Sequence, residues 1–440
     1  MDLRTLFSEH LAERLAWASR ALADTGYEAL VISSGQPYTH FADDQEAPFR
    51  STPHFVHHCP LRGPHHVLKV EAGKRPLLIR YAPEDFWYEQ LPLAALWGGE
   101  PFWLASFDLV ECATLDAVWE TLGKPSRAAY IGNETDRAGA AGLDPNPASI
   151  TAFLDWGRSF KSAYEVRCME EATVLGARGH SAGRAAFLAG ASELEIHHAF
   201  AQAVGCLDHD LAFASIVALN EKGATLHYEG KRTFRNGKTL LLDCGANVRG
   251  YASDITRTTP GPGCDPRFAA LVVGMEKLQQ ELCAEVKPGL SFGALHHSSH
   301  LKIGALLQSA GILKAGPEEA IAKGLTRAFY PHGLGHHLGL QVHDVAGKLA
   351  GPGGDLQPPP PEHPYLRTTR TIEPRQVFTI EPGLYFIPML LRPFRGNEHA
   401  ALFDWKLIDE LIPCGGIRIE DNILVTEHGG RNLTREQLPT

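Results

Sequence analysis

The 440-residue sequence has no apolar run of about 18 residues, so no segment reads as a helix able to span a bilayer. It also lacks a basic excess. Lys and Arg number 41 against 51 Asp and Glu, the net charge is -10, and no long run of Lys or Arg offers a footprint for a phosphate backbone, so neither nucleic acid nor a membrane is an expected partner. No C-x-x-C pair occurs. The eight cysteines (59, 112, 168, 206, 244, 264, 283, 414) are scattered and read as free thiols of a reducing compartment, the cytoplasm. There is no H-E-x-x-H for a single-zinc protease and no repeat of fixed period. What is present is ordinary for a globular enzyme: 44% hydrophobic and 21% charged residues, in a chain long enough for two or three domains.

From Met1 to Ala23 charged residues alternate with apolar ones at helical spacing, which suits an amphipathic helix and not the core of a signal peptide. Helical stretches then alternate with short β-like runs at Ala29 to Ser33, His66 to Val70 and Leu77 to Ile79, the pattern of an α/β domain over residues 1–160. Ser162 and Glu165 form a capping-box pattern that opens a helix running to about Leu188, and Ser192 with Glu195 opens another. Beyond Ala212 strand-like runs dominate: Ser215 to Leu219, Thr239 to Cys244, Val377 to Ile380 and Ile417 to Val425. Residues 161–440 are therefore expected to form an α+β domain. Gly351 to Pro364, with four consecutive prolines, can be neither helix nor central strand.

The chemistry gathers in four places. Leu240 to Ala246 and Gly250 to Thr256 read as a buried hairpin; with its turn centred between Val248 and Arg249, Asp243 and Asp254 become direct cross-strand partners. Two like charges so placed call for a cation. Pro331 to Asp344 packs four histidines, among them His332, His336 and His343, and three glycines into a loop where backbone can approach a site closely. Two apolar strands end on acids, at Glu381 and Glu420, and alternation puts Arg418 and Glu420 on one face with Ile417 and Ile419 on the other. Asp243, Asp254, Glu381, Glu420 and His336 together carry four negative charges, which two divalent ions would neutralise. An oxygen-rich set with one imidazole favours Mn²⁺, with Co²⁺, Zn²⁺ or Fe²⁺ as alternatives.

The runs "LLLDCGANVRGYASDITRT", "HGLGHHLGLQVHD", "FTIEPG" and "GIRIED", in this order, resemble the signature of the pita-bread metallopeptidases, the family of methionine aminopeptidase, aminopeptidase P, creatinase and prolidase. Within it, "SIVALNEKGATLHY", "PPEHPYLRTTRTIEP" and "FADDQEAPF" are most similar to bacterial proline dipeptidases and the related organophosphorus acid anhydrolases. The resemblance implies a pita-bread catalytic domain that cleaves Xaa-Pro dipeptides, with a side activity on organophosphorus triesters. It implies Asp243 on one metal, Asp254 and Glu420 bridging, and His336 and Glu381 on the other, with Glu381 also shuttling a proton for attack by a bridging hydroxide. His227, His332 and His343 would line the pocket, and Arg418, Arg370 or Arg367 would bind the substrate carboxylate, a task suited to a guanidinium fork. A homodimer is implied too, with Asp44 or its neighbour Asp43 reaching the other subunit's pocket. Phe213 and Ala47 depart from the pattern, each removing a polar or bulky contact.

Two other readings compete. Aminopeptidase P would use the same metals. A serine hydrolase would use Ser181 in Gly179-His180-Ser181-Ala182-Gly183, a G-x-S-x-G motif that needs a strand before it, whereas the residues preceding Ser181 have helical periodicity.

Overall fold

The computed structural model describes residues 1–438, which divide into two compact units: Met1–Val166 with Leu349–Leu356, and Arg167–Lys348 with residues 357–438. In the first, the helix Leu3–Thr25 begins on Asp2, whose carboxylate accepts from the Thr5 N–H, and ends on Gly26 in the left-handed conformation. Strands β1 (Ala29–Ser33), β2 (Val67–Glu71), β3 (Leu77–Tyr81), β4 (Asp108–Cys112), β5 (Ala128–Ile131) and β6 (Asp144–Pro145) form one mixed sheet in the order β4-β3-β2-β1-β5-β6. Every residue of β1 is buried, as expected for a central strand of a covered sheet.

The second unit is entered through the first turn of the helix Ala163–Leu188. Its capping box is formed: the Ser162 N–H donates to Glu165 Oε2 at 2.9 Å and the Glu165 N–H to Ser162 Oγ at 3.3 Å. Ser192 and Glu195 cap the helix Glu193–Val204 in the same reciprocal way. Strands β7 (Ile216–Leu219), β8 (Thr239–Cys244), β9 (Asn247–Val248), β10 (Tyr251–Ala252) and β11 (Ile255–Pro260) follow, then β12 (Val377–Ile380), β13 (Gly383–Tyr385), β14 (Gly416–Arg418), β15 (Asp421–Thr426) and β16 (Gly429–Asn432). They make small antiparallel sheets, β11-β8-β7, β12-β15-β16, β10-β9 and β13-β14. Helices Pro266–Glu285 and Phe292–Ser309 supply Phe268, Met275, Phe292 and Leu307 to a core completed by Phe378, Ile380, Ile417 and Ile423 from the strands and Ile419 from the link between β14 and β15. At roughly 25 cal/mol per Å² of apolar surface removed from water, a core of this kind is the main stabilising term.

Two expectations need correction. The hairpin turn is centred one residue later than its sequence suggests, because Arg249 (φ 52°) and Gly250 (φ 93°) take the two central positions of a two-residue turn that needs positive φ at both. Asp243 consequently pairs with Thr256, and Asp254 lies diagonally across on the same face instead of directly opposite. The run Ile417 to Val425 is also broken: β14 and β15 are separate strands, with Glu420 between them held to Thr256 by an isolated bridge. The Gly351 to Pro364 stretch forms no helix or strand, as its prolines require.

Candidate metal centre

Five side chains converge on one face of the second unit. Asp243 stands on β8 and Asp254 just before β11; Glu381 follows β12 and Glu420 joins β14 to β15. His336 comes from the glycine-rich loop, which is stitched to β12: the Thr379 N–H donates to the His336 carbonyl at 2.9 Å, and His337 bridges Phe378. Gly335 explains the approach, since a Cβ there would stand 1.9 Å from the Thr379 carbonyl oxygen. One oxygen or nitrogen of each of Asp254, His336 and Glu420 lies within 4.8 Å of the others. His336 Nε2 is 3.5 Å from Asp254 Oδ2 and 3.5 Å from Glu381 Oε1.

Burial makes this arrangement costly without a cation. Asp243, Asp254, His336 and Glu420 are 8%, 4%, 3% and 2% exposed, and ionised carboxylates so deep need positive partners. Asp243 has one: its Oδ2 accepts from Arg418 Nη2 at 2.6 Å, while its buried Oδ1 has no hydrogen-bond partner among the described residues. Burial, only partly offset by Arg418 and reinforced by Asp254, pushes the Asp243 carboxyl up to about 7. Burial also drives Glu420 well above the ordinary carboxylate range, with the charges of Asp254 and Glu381 adding to it, and raises Glu381 against the opposing pull of His336. For His336 burial acts downward, but its bond to Asp254 and the charge of Glu381 prevail and leave it raised. Orphaned oxygen, like-charged acids and one imidazole are the donor set that divalent ions fit.

A pH dependence follows. A carboxyl whose folded pKa exceeds its unfolded value binds more protons when folded, so its contribution to stability is complete below the unfolded value near ~4 and is lost as pH rises through the folded one, about 7 for Asp243. Raised His336 acts in the same direction. The gap in Tm between metal-loaded and chelator-stripped protein should therefore widen from pH 5 to pH 8, as differential scanning fluorimetry would record; a constant gap would contradict this picture.

A second layer fixes these groups. Thr256 Oγ1 donates to Glu420 Oε2 at 2.5 Å and accepts from Arg418 Nε at 3.2 Å; Thr379 Oγ1 accepts from the His336 N–H at 3.1 Å and donates to Glu381 Oε1 at 3.3 Å. The Tyr385 hydroxyl accepts from Arg418 Nη1 at 2.8 Å and lies 2.8 Å from His332 Nε2. His332 Nδ1 faces only acceptors, the Gly333 carbonyl at 2.8 Å and Glu381 Oε2 at 3.8 Å, so the network assigns the ring proton to Nδ1 and leaves Nε2 to accept from Tyr385. Burial, with Arg418 adding to it, lowers the pKa of His332 to about 3 and keeps it neutral.

The other expected residues are placed unequally. The His343 ring stands edge-on to His336, centroids 4.4 Å apart. His227 and Arg367 are exposed, yet their charges are felt at both His332 and His343. Arg418 has its fork filled by Asp243, Tyr385 and Thr256, and buried Arg370 donates to Glu373 at 2.5 Å. Asp44 is exposed; Asp43 accepts from the backbone N–H of Asp44 at 2.8 Å, the posture of a turn acid. Half-buried Phe213 lies beside the ligand hairpin, where a Cβ on Gly245 would touch its ring at 2.8 Å. Ser181 sits inside the helix Ala163–Leu188 with its hydroxyl donated to the Ala177 carbonyl at 2.9 Å, so the strand-to-helix elbow of a serine hydrolase is absent and that reading falls. Sequence reasoning missed Thr256, Thr379 and Tyr385, although each lies two residues from, or directly across from, a named ligand or glycine on an alternating strand.

Comparison with known proteins identifies the family. The family model described as "Metallopeptidase family M24" matches residues 167–427, and that described as "Xaa-Pro dipeptidase, N-terminal domain" matches residues 5–156. The chain is 44% identical to an Xaa-Pro dipeptidase of Marinobacter nauticus, covering 99% of each chain, and 41% identical to one of Pseudoalteromonas atlantica, again covering 99% of each. Among solved structures it is similar to Pseudomonas aeruginosa aminopeptidase PepP (TM-score 0.74, 23% identity, 99% of this chain and 96% of that one). The Yersinia pestis proline aminopeptidase P II is also similar (TM-score 0.73, 24% identity, 97% and 96%). At such identities the structures speak to fold alone, and that fold is the pita-bread arrangement expected from the motifs.

Proposed function

The chain belongs to metallopeptidase family M24, and from that premise we propose that it hydrolyses dipeptides with a C-terminal proline, through two divalent ions held by Asp243, Asp254, His336, Glu381 and Glu420. The observation that carries this reading is the buried four-carboxylate cluster whose Asp243 Oδ1 has no hydrogen-bond partner among the described residues, in a chain 99% covered by Xaa-Pro dipeptidases. When bound, the ions supply Lewis acidity and an acidified water. Mn²⁺ suits the oxygen-rich donors best.

Glu381, with its raised pKa and its place beside His336 and His332, is suited to take a proton from the attacking water and return it to the prolyl nitrogen as that leaves. His332, His343 and His227 border the space for the scissile carbonyl. Arg418 works through Asp243 as a positioning residue, because its guanidinium has no fork left for substrate. Arg370 is committed to Glu373. Arg367 is exposed and close enough for its charge to reach His332 and His343, which makes it our choice for the proline carboxylate. We extend the reading to a cytoplasmic homodimer in which exposed Asp44 enters the neighbouring pocket; the free thiols support the compartment.

The test is hydrolysis of Gly-Pro beside Gly-Pro-Ala by protein stripped with chelator and refilled with Mn²⁺. Metal-restored cleavage of the dipeptide alone is expected. Cleavage of the tripeptide would transfer the chain to aminopeptidase P chemistry, and silence on both with no metal retained would defeat the dinuclear reading.

A further inference from the structure

A second group of three histidines lies in the same unit, outside the centre just described. His296 and His300 are one helical turn apart on the helix Phe292–Ser309 and so share a face. His363, from the loop that follows the proline run, closes the group: its ring centroid is 4.4 Å from that of His296 and 4.6 Å from that of His300, and the latter two are 4.8 Å apart. One ring nitrogen of each lies within 4.8 Å of the others.

What these rings lack decides the matter. His296 is 2% exposed and His300 1%, yet both nitrogens of His296 and Nε2 of His300 have no hydrogen-bond partner among the described residues. Leaving buried polar atoms unsatisfied costs about 1–3 kcal/mol each, which native proteins seldom tolerate without a ligand. His300 Nδ1 is anchored, 2.9 Å from Thr326 Oγ1, the kind of outer contact that orients an imidazole for ligation through its other nitrogen.

We propose that His296, His300 and His363 form a third metal site, distinct from the dinuclear centre, that binds Zn²⁺ with one position left for water. Three imidazoles without a carboxylate suit zinc and not Mn²⁺. Zinc–nitrogen bonds of about 2.1 Å require nitrogens roughly 3.4 Å apart, so nitrogens that lie within 4.8 Å of one another must draw together by up to about 1.4 Å. His363 can supply that movement, being half-buried in a turn closed by its own N–H to the Pro360 carbonyl and by the Leu366 N–H to its carbonyl. Burial, helped by the neighbouring histidines, lowers His296 to about 2 and His300 to about 3, so both are in the neutral, ligating form at any working pH. The nearby charges oppose one another: Arg327 disfavours a cation at His300 and His363, and Glu362 favours one at His363. A bound ion would tie the loop to the helix directly behind Tyr330, whose ring packs on His300 (4.8 Å) and on His332 (4.9 Å).

The test counts metal on the full-length protein after chelation, dialysis against Zn²⁺ and gel filtration. The parent is expected to keep one more zinc per chain than His363→Ala, whose metal-free Tm should match the parent because the side chain is half-exposed. A second variant, Asp254→Asn with Glu420→Gln, should lose the dinuclear ions and keep one zinc that disappears when His363→Ala is added. Equal zinc in parent and His363→Ala would overturn the proposal and leave three packed, neutral rings. Dipeptide hydrolysis is read separately, so failure here and failure of the dipeptidase reading are distinguishable.

Discussion

Glu420→Gln is expected to lower kcat for Gly-Pro by about 10³-fold or more while leaving the metal-free protein at least as stable as the parent. The two halves of that outcome come from one fact. Glu420 is 2% exposed among Asp254, Glu381 and Asp243, and its pKa is driven far up by burial and by those neighbours, so without metal the ionised form is disfavoured and a neutral glutamine takes the place of the carboxyl without loss. At the proposed metal centre the same charge would be required: losing one carboxylate ligand would forfeit several kcal/mol of electrostatic stabilisation, and each ~1.4 kcal/mol is a factor of ten in rate. Thr256 keeps a partner, since its hydroxyl can still donate to the amide oxygen. Steady-state kinetics and thermal denaturation in chelator check both halves. A variant that retained more than a tenth of the parent rate would remove Glu420 from the ligand set.

Gly335→Ala is expected to be the most damaging conservative change in the histidine loop. Its Cβ would sit 1.9 Å from the Thr379 carbonyl oxygen, and nothing flexible can yield, because the contact is to the backbone of a residue whose N–H donates to the His336 carbonyl and whose Oγ1 accepts from the His336 N–H. The loop must move off β12 by about an ångström, which carries His336 away from Asp254 and Glu381. Overpacking of this kind costs about 3 kcal/mol, and a ligand displaced by an ångström costs roughly 10²-fold in rate. Gly353→Ala is the control: nothing lies within 4 Å of a Cβ there, so stability should change by less than about 0.5 kcal/mol. Equal Tm and metal content in the two variants would mean that close approach at Gly335 is not what holds the loop.

The histidine loop also shows what sequence could convey. Glycines beside histidines announce a backbone brought close to a site, and Gly335 is such a position. Strand alternation placed Arg418 and Glu420 together and sent Ile417 and Ile419 to the core, because period two is a local property that needs no tertiary knowledge. The capping boxes at Ser162 and Ser192 were legible for the same reason. The hairpin register was not, since it depended on which two residues accept positive φ, and Arg249 does so only because the turn geometry favours the strand twist. Arginine roles were hidden more deeply. Arg418, Arg370 and Arg367 look alike in sequence, and only partners far along the chain, such as Asp243 and Tyr385 for Arg418, separate them. His296 and His300 carry a visible i, i+4 signal, but His363 joins them through folding alone.

The two-residue turn at Arg249 and Gly250 has a consequence for how this protein can change. Side chains alternate along β8 and along its return strand, so Asp243 and Asp254 meet on one face only while each stays in phase with the turn. The interval between them is thus a matter of parity as much as of length. Deleting a single residue between Asp243 and the turn would rotate Asp243 into the apolar side now occupied by Leu242 and Cys244, whereas paired deletions would keep its orientation. Insertions and deletions in this arm should therefore be tolerated in twos or at the turn itself, and an odd change elsewhere would silence the centre without touching any of its ligands.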